Sequence, residues 1–155
     1  MIDLVDDDDP TPWADPQIQA EYEAALGSFL VSFNRLENLL GDLLQQSLRR
    51  LGKPELYRAN DRFELKLRFF QFVLLALPDM YKPNIQAAQM LSGERNTLAH
   101  GHFDQNPFSG SYKVVTGTKT ADLSVARIKQ LSFEAAQVID DFRSCQAYLW
   151  FEQTS

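Results

Sequence analysis

The stretch LGSFLVSFNRLENLLGDLLQQSLRRL, residues 26–51, decides the fold. Its apolar residues recur in steps of three and four, which places them along one side of an α-helix. They are Leu26, Phe29, Leu30, Phe33, Leu36, Leu40, Leu43, Leu44, Leu48 and Leu51. Asp15 and Pro16 form a typical helix start, and Gly52 is a typical stop. The sequence therefore predicts one long amphipathic helix from about Pro16 to Leu51.

Two more helices are predicted after this one. The segment Asp61–Leu77 begins with the alternation of a strand, but seventeen residues without a breaker favour a helix. It is apolar on most sides, so we expect it to be central. Asp61 and Glu64 have the spacing of a capping box at its start. A third helix is expected from Pro83 to Gly101, where the glycine is a natural C-terminal cap.

The segment after the third helix changes character. Tyr112–Thr116 is rich in β-forming residues, and Ala121–Ile128 can pair back with it. Ser132 is then expected to cap a last helix, with Cys145 on its apolar face as a core residue. The predicted fold class is all-α: a four-helix bundle with a small β-hairpin insertion before the last helix.

Composition indicates one domain and an acidic tail. The chain has 155 residues, and its net charge of −6 is concentrated in the aspartates near the N-terminus. We expect residues 1–15 to be a disordered tail and residues 16–155 to form a single helical domain. The longest apolar run, Phe69–Leu77, is too short to cross a membrane. With no secretory signal and a single cysteine, Cys145, a cytoplasmic location is expected.

A basic segment lies between Arg49 and Arg68, where seven basic residues stand against three acids. Such a patch on an acidic protein can meet a phosphate backbone. The candidate residues for an RNA path are Arg49, Arg50, Lys53, Arg58 and Arg62. The alternative is that these residues are a solvated loop and helix start.

The end of the predicted third helix holds the residues best suited to chemistry. The stretch ERNTLAHGH spans residues 94–102 and contains both histidines of the chain. Asn96 and His100 are four residues apart and share a helix face, so the amide can orient the imidazole. Arg95 lies near the same helix end. Arginine binds phosphate, and histidine transfers protons near neutral pH.

Glu37 interrupts the apolar stripe of the first helix. A buried carboxylate needs a partner, so Glu37 either pairs with a buried cation or lies at the edge of the stripe and reaches water. Arg95 is the candidate partner. In the structural alternative to catalysis, Arg95 pairs with Glu37 and His100 only caps its helix.

The string R-N-x-x-A-H-G late in a small helical protein resembles the motif of the HEPN superfamily, which maps onto Arg95, Asn96 and His100. The resemblance implies a helical bundle that forms a homodimer, with two motifs facing each other across one composite cleft. It implies a metal-independent endoribonuclease without cofactors, often a toxin or defence effector, that leaves a cyclic 2′,3′-phosphate and a 5′-hydroxyl. His100 would transfer protons, Arg95 would hold the phosphate, and Asn96 would orient one or both.

The sequence also departs from one branch of that family. Toxin-type members often carry a tyrosine two residues after the histidine, where this chain has His102. His102 is either a second proton shuttle or a loop residue. The alternative function is a non-catalytic module that binds a nucleotide, a cognate antitoxin or a regulatory protein. A metal site at His100, His102 and Asp104 is not expected, because the H-G-H spacing straddles the helix end.

Overall fold

A computed structural model describes residues 14–116, 119–122 and 124–151, without the side chains of His102 and of residues 114–123. Its elements, in chain order, are α1 (Pro16–Arg50), a short 3-10 turn (Pro54–Leu56), α2 (Phe63–Leu75), α3 (Ile85–His100), β1 (His102–Gln105), β2 (Tyr112–Thr116), β3 (Lys119–Asp122) and α4 (Val125–Phe151). The described residues are therefore mostly helical, with a small sheet before the last helix, as predicted. The expected disorder of the acidic tail falls almost entirely outside the described residues.

Helix α1 is the centre of the fold. It begins as predicted, with the Asp15 carboxylate accepting a hydrogen bond from the Gln17 amide at 2.9 Å. It ends one residue before the predicted Leu51, and Gly52 follows in the left-handed region with φ of 72°. The other three described α-helices all contact α1, and the most extensive of these interfaces is with α4. The apolar stripe of α1 is buried against these partners.

Helix α2 differs from the prediction in two respects. Its N-cap position is Arg62, which makes no side-chain capping bond, so the Asp61–Glu64 capping box is wrong. Glu64 instead bonds to α3, because α3 offers it two donors. The expected central position is also wrong, because α2 lies against α1 and α3 and leaves one apolar side open. The exposed residues on that side are Leu65, Phe72 and Leu75.

The predicted hairpin is present as β2 and β3, and β1 adds a third antiparallel strand, so the order among the described residues is β1-β2-β3. Strand β1 directly follows α3, with His102 opposite Val115. Gly101 is the C-cap of α3, as predicted: its amide donates to the Thr97 carbonyl at 2.9 Å, and its backbone is extended, with φ of −74°, where the chain enters β1. Strand β1 is only four residues long and has one apolar residue, Phe103, so no alternating apolar pattern predicts it.

The predicted return strand and the predicted start of α4 are both partly wrong. Strand β3 ends at Asp122, and Ile128 belongs to α4. The hydroxyl of Ser124 accepts a hydrogen bond from the Arg127 amide at 3.1 Å, so the helix begins there and not at Ser132. Ser132 lies inside α4, where its hydroxyl is buried without a partner.

The sheet is held against the first turns of α1. The Ala14 amide donates to the Pro107 carbonyl at 2.7 Å. The ring of Tyr22 stacks on Tyr112 at 3.9 Å and meets Phe103 edge-on at 6.0 Å. These contacts fix the strands that follow the α3–β1 junction, directly after the candidate motif.

The core fills the space between the four described helices. Cys145 is fully buried, its thiol donates to the Tyr81 carbonyl at 3.1 Å, and burial raises its pKa to about 12. Its predicted role as a core residue is confirmed. None of the described helices is long and apolar enough to cross a membrane.

Candidate functional site

The three helices α1, α2 and α3 border an open cleft of about 540 Å³. Its lining is almost entirely polar, although one phenylalanine is included. The lining residues are Glu37, Asp61, Arg62, Phe63, Glu64, Arg95, Asn96 and His100. The fold thus brings the whole predicted motif into one cleft, together with Glu37 from α1 and one of the candidate RNA-path residues, Arg62.

The side chain of Arg95 extends from α3 to α1, where it contacts Phe33 and Glu37. Its guanidinium carbon is 4.8 Å from the centre of the Phe33 ring, and Phe33 packs on Phe63 at 5.0 Å. Its Nη2 is 3.5 Å from Glu37 Oε1, while Nε is buried and has no hydrogen-bond partner among the described residues. The aromatic ring and the carboxylate therefore hold the guanidinium at the cleft.

The predicted pairing of Glu37 with Arg95 is confirmed, although the pair is not buried. The Glu37 side chain is 37% exposed and the Arg95 side chain 25%. Glu37 thus lies at the edge of its stripe and also has a cationic partner, so both alternatives hold in part. An ion pair open to water contributes little to stability, about 0–1 kcal/mol. Its partial exposure leaves Arg95 accessible to a ligand in the cleft.

Glu64 connects α2 to α3 by two hydrogen bonds. Its Oε1 accepts from the Ser92 hydroxyl at 2.5 Å and from Asn96 Nδ2 at 3.1 Å. The pKa of Glu64 is lowered, chiefly by the Ser92 hydrogen bond and also by the bond from Asn96 and the charge of Arg95. Glu64 could not be recognised as a site residue from the sequence, because its position three after Asp61 favoured a local cap over a contact with a distant helix.

His100 is the last residue of α3 and is exposed to solvent. It lines the cleft on the same helix face as Asn96, as the spacing predicts. Among the described residues, the side-chain hydrogen bond of Asn96 leads to Glu64 and none joins Asn96 to His100. The predicted orientation of His100 by Asn96 therefore stays a prediction. The open position leaves the imidazole accessible to water and to a ligand in the cleft.

The charge of the cleft is mixed. Three carboxylates, Glu37, Asp61 and Glu64, stand against two guanidinium groups, Arg62 and Arg95. With His100 neutral, the lining thus carries a small excess of negative charge. A phosphate that entered the cleft would gain from Arg95 but would be repelled by the carboxylates, so additional cations outside this lining would favour binding.

Most of the predicted RNA-path residues lie outside the cleft. They are exposed near the end of α1 and in the connection to α2, and only Arg62 reaches the lining. The Arg50 guanidinium lies 5.1 Å from the Tyr148 ring of α4. The others outside the lining are Arg49, Lys53 and Arg58. They form an exposed basic edge, and the RNA path stays a prediction.

The residues after the motif continue into the sheet. His102 and Asp104 lie on β1, and the side chain of His102 is outside the described part of the chain. Within the described residues, no group of three or more histidine, cysteine, aspartate or glutamate side chains is arranged to hold a metal ion. The possible support role of His102 stays a prediction.

Comparison of the chain with protein-family models, with curated proteins and with solved structures found no match in any of the three. The resemblance to HEPN proteins therefore rests on the motif and on the helical layout around it.

Proposed function

We propose that this protein is a metal-independent endoribonuclease of the HEPN type. The observation that supports this proposal is the shared cleft: Arg95, Asn96 and His100 all line it, and Arg95 is held there by Phe33 and Glu37. An arginine and a solvent-accessible histidine around one cleft supply the two properties that phosphodiester cleavage needs. These are a fixed positive charge and a group that transfers protons near neutral pH.

The proposed reaction uses the RNA's own 2′-hydroxyl as nucleophile. Its oxygen attacks the adjacent phosphorus, the bond from phosphorus to the 5′-oxygen breaks, and a cyclic 2′,3′-phosphate and a 5′-hydroxyl form. A histidine accepts the proton of the 2′-hydroxyl, and an imidazolium returns a proton to the leaving oxygen. The Arg95 guanidinium binds the phosphate oxygens, on which negative charge grows in the transition state.

We propose further that the working unit is a homodimer. One cleft contains one described histidine, whereas the reaction is fastest when a base and an acid act on opposite sides of the phosphorus. A second copy would supply the second His100, and its Arg95 would give the phosphate a second guanidinium group. RNA is then the substrate partner, and a toxin or defence role with a cognate antitoxin or regulatory protein fits such an activity.

The deciding experiment is cleavage of mixed transfer RNA in the presence of EDTA. The wild-type protein should produce fragments with cyclic 2′,3′-phosphate ends, and His100→Ala should lower the rate by about 10²- to 10⁴-fold, the usual contribution of a general acid or base. Lys129→Ala removes an exposed cation of α4 outside the cleft and is the control. Equal cleavage by His100→Ala and the control variant would refute the assignment.

One observation favours the alternative, a non-catalytic HEPN-like module that binds a nucleotide or a protein. Arg95 already has a carboxylate 3.5 Å away, and carboxylates outnumber guanidinium groups in the lining. A module of this kind would bind an adenine nucleotide or copurify with a stoichiometric protein partner and would cut no RNA at any pH. Isothermal titration with ATP, alongside the cleavage assay, separates the two functions.

A further inference from the structure

Among the described residues, Glu64 is the one carboxylate of the cleft that accepts hydrogen bonds from two side chains of another helix. One donor, Ser92, is buried, and the other, Asn96, belongs to the proposed active site. Both donors contact the same oxygen, Oε1, so the carboxylate is fixed relative to α3. A low pKa keeps Glu64 ionised at neutral pH, and an ionised carboxylate only accepts hydrogen bonds.

This arrangement decides which way the amide of Asn96 faces. Because Glu64 only accepts, it must receive the NH2 group of Asn96, and the distance of 3.1 Å agrees with that assignment. The carbonyl oxygen of the amide then faces away from Glu64. It is an acceptor on the helix face that also carries His100, one turn further on.

We infer that Glu64 is a positioning residue of the proposed active site, which acts through Asn96 on the imidazole of His100. Glu64 holds the amide so that its oxygen is left free to accept a hydrogen bond from one ring nitrogen of His100 when substrate occupies the cleft, a bond absent among the described residues of the free protein. The other ring nitrogen is then left unprotonated and directed to the cleft, where it serves as a base. This inference rests on the proposed function for its catalytic meaning but not for the geometry itself.

Two neutral variants of Glu64 separate the effect of its hydrogen-bond acceptor from the effect of its charge. Glu64→Gln removes the charge but retains a side-chain oxygen that accepts from Ser92 and Asn96, whereas Glu64→Ala removes both charge and acceptor. Glu64→Leu is made as well, because it retains side-chain volume should the alanine variant fail to fold. Glu55→Ala removes an exposed carboxylate from the nearby turn and is the control.

The first measurement is nuclear magnetic resonance of the His100 ring nitrogens, assigned as the signals that vanish in His100→Gln, with a 2′-deoxy oligonucleotide, which cannot be cut, in place of the substrate. Wild type, Glu64→Gln and Glu55→Ala should show the same predominant neutral tautomer. Glu64→Ala, Glu64→Leu and Asn96→Ala should shift together toward the mixture of tautomers of a free imidazole. The double variant Glu64→Ala with Asn96→Ala should add no further shift, because both residues act on the same bond.

The second measurement is cleavage of mixed transfer RNA in EDTA. Glu64→Ala should lower kcat by about 10- to 100-fold with little change in KM, as loss of positioning does, and should change the pH profile of kcat. Glu64→Gln should restore most of the rate. A protein that cuts no RNA in any form would refute the proposed function, and the ring-nitrogen spectra would still decide the role of Glu64.

Two results would overturn the inference. One is a His100 spectrum that stays unchanged in folded Glu64→Ala or Glu64→Leu, whether or not it changes in Asn96→Ala. The other is a Glu64→Gln variant that behaves like Glu64→Ala in both measurements, because the charge and not the acceptor would then be the cause.

Discussion

The two sides of α1 serve different purposes. Most of its apolar stripe is buried in the core, where Phe29, Leu36 and Leu40 are fully buried, and a small change there alters the packing of the bundle. Toward α2 and α3, the same helix presents Phe33 and Glu37 to Arg95 at the edge of a polar cleft. Substitutions on the first side should therefore affect stability, and substitutions in the cleft should affect ligand binding or catalysis.

The largest expected effect on stability is at Phe142 of α4. Its side chain is fully buried and its ring lies 6.1 Å from that of Phe70. Phe142→Ala should lower the free energy of unfolding by about 3–5 kcal/mol, measured by urea unfolding. Phe72→Ala, on the open side of α2, is the control and should change it by no more than about 0.5 kcal/mol. Equal losses in both variants would contradict the described burial.

Arg95→Lys should lower RNA cleavage strongly and stability little. Lysine keeps the charge but loses the planar fork, so RNA cleavage should fall by about 10²- to 10³-fold. The free energy of unfolding should change by no more than about 1 kcal/mol, because the pair with Glu37 is open to water. Arg143→Lys is the matched control, since Arg143 also lies 3.5 Å from a carboxylate, that of Asp140, but outside the cleft. A large loss of stability in Arg95→Lys would break the division between the two sides.

Gly110 tests the contact between the sheet and α1. It has φ of +75°, and an added Cβ would lie 2.8 Å from Cδ1 of Ile18. Gly110→Ala should therefore destabilise the protein by about 1–3 kcal/mol in urea unfolding. Gly27→Ala is its counterpart inside α1, where an added Cβ meets nothing within 4 Å. That variant should stabilise the protein by about 0.5–1 kcal/mol, and a loss there would show that the open face of α1 is covered.

The smallest expected effect is the pH dependence of Glu64. Its pKa is lower in the folded chain than in the unfolded chain, so its ionised form stabilises the fold above the ordinary pKa of a glutamate. That contribution disappears as the pH falls through the folded pKa. Unfolding curves of wild type and Glu64→Gln should differ by less than about 1 kcal/mol at pH 7 and converge in acid. A difference that persists in acid would show that geometry, not charge, separates them.

The sequence predicted the elements that depend on long apolar periodicity. The stripe of α1 extends over ten apolar residues, and both of its ends carry strong signals at Asp15 and Gly52. The clustering of Arg95, Asn96 and His100 followed from their spacing on one helix. The pairing of Glu37 with Arg95 could also be predicted from the sequence, because an acidic residue in an apolar stripe needs a partner.

The rest depended on contacts between distant segments. Glu64 has the local spacing of a cap, and only the approach of α3 shows that Ser92 and Asn96 are its donors. Strand β1 is short and polar, so its pairing with β2 has no local signature. The early start of α4 likewise depends on Ser124, one of several serines that equally suit an N-cap.

The buried thiol of Cys145 can report local opening of the folded protein. It is the single cysteine of the sequence, so any alkylation signal has one origin. Its hydrogen bond to the Tyr81 carbonyl joins α4 to the connection between α2 and α3, and a pKa near 12 keeps it protonated at neutral pH. An alkylating reagent can therefore label Cys145 only after α4 separates from the connection between α2 and α3. The rate of labelling under native conditions therefore measures how often α4 detaches, without denaturant and without an introduced probe.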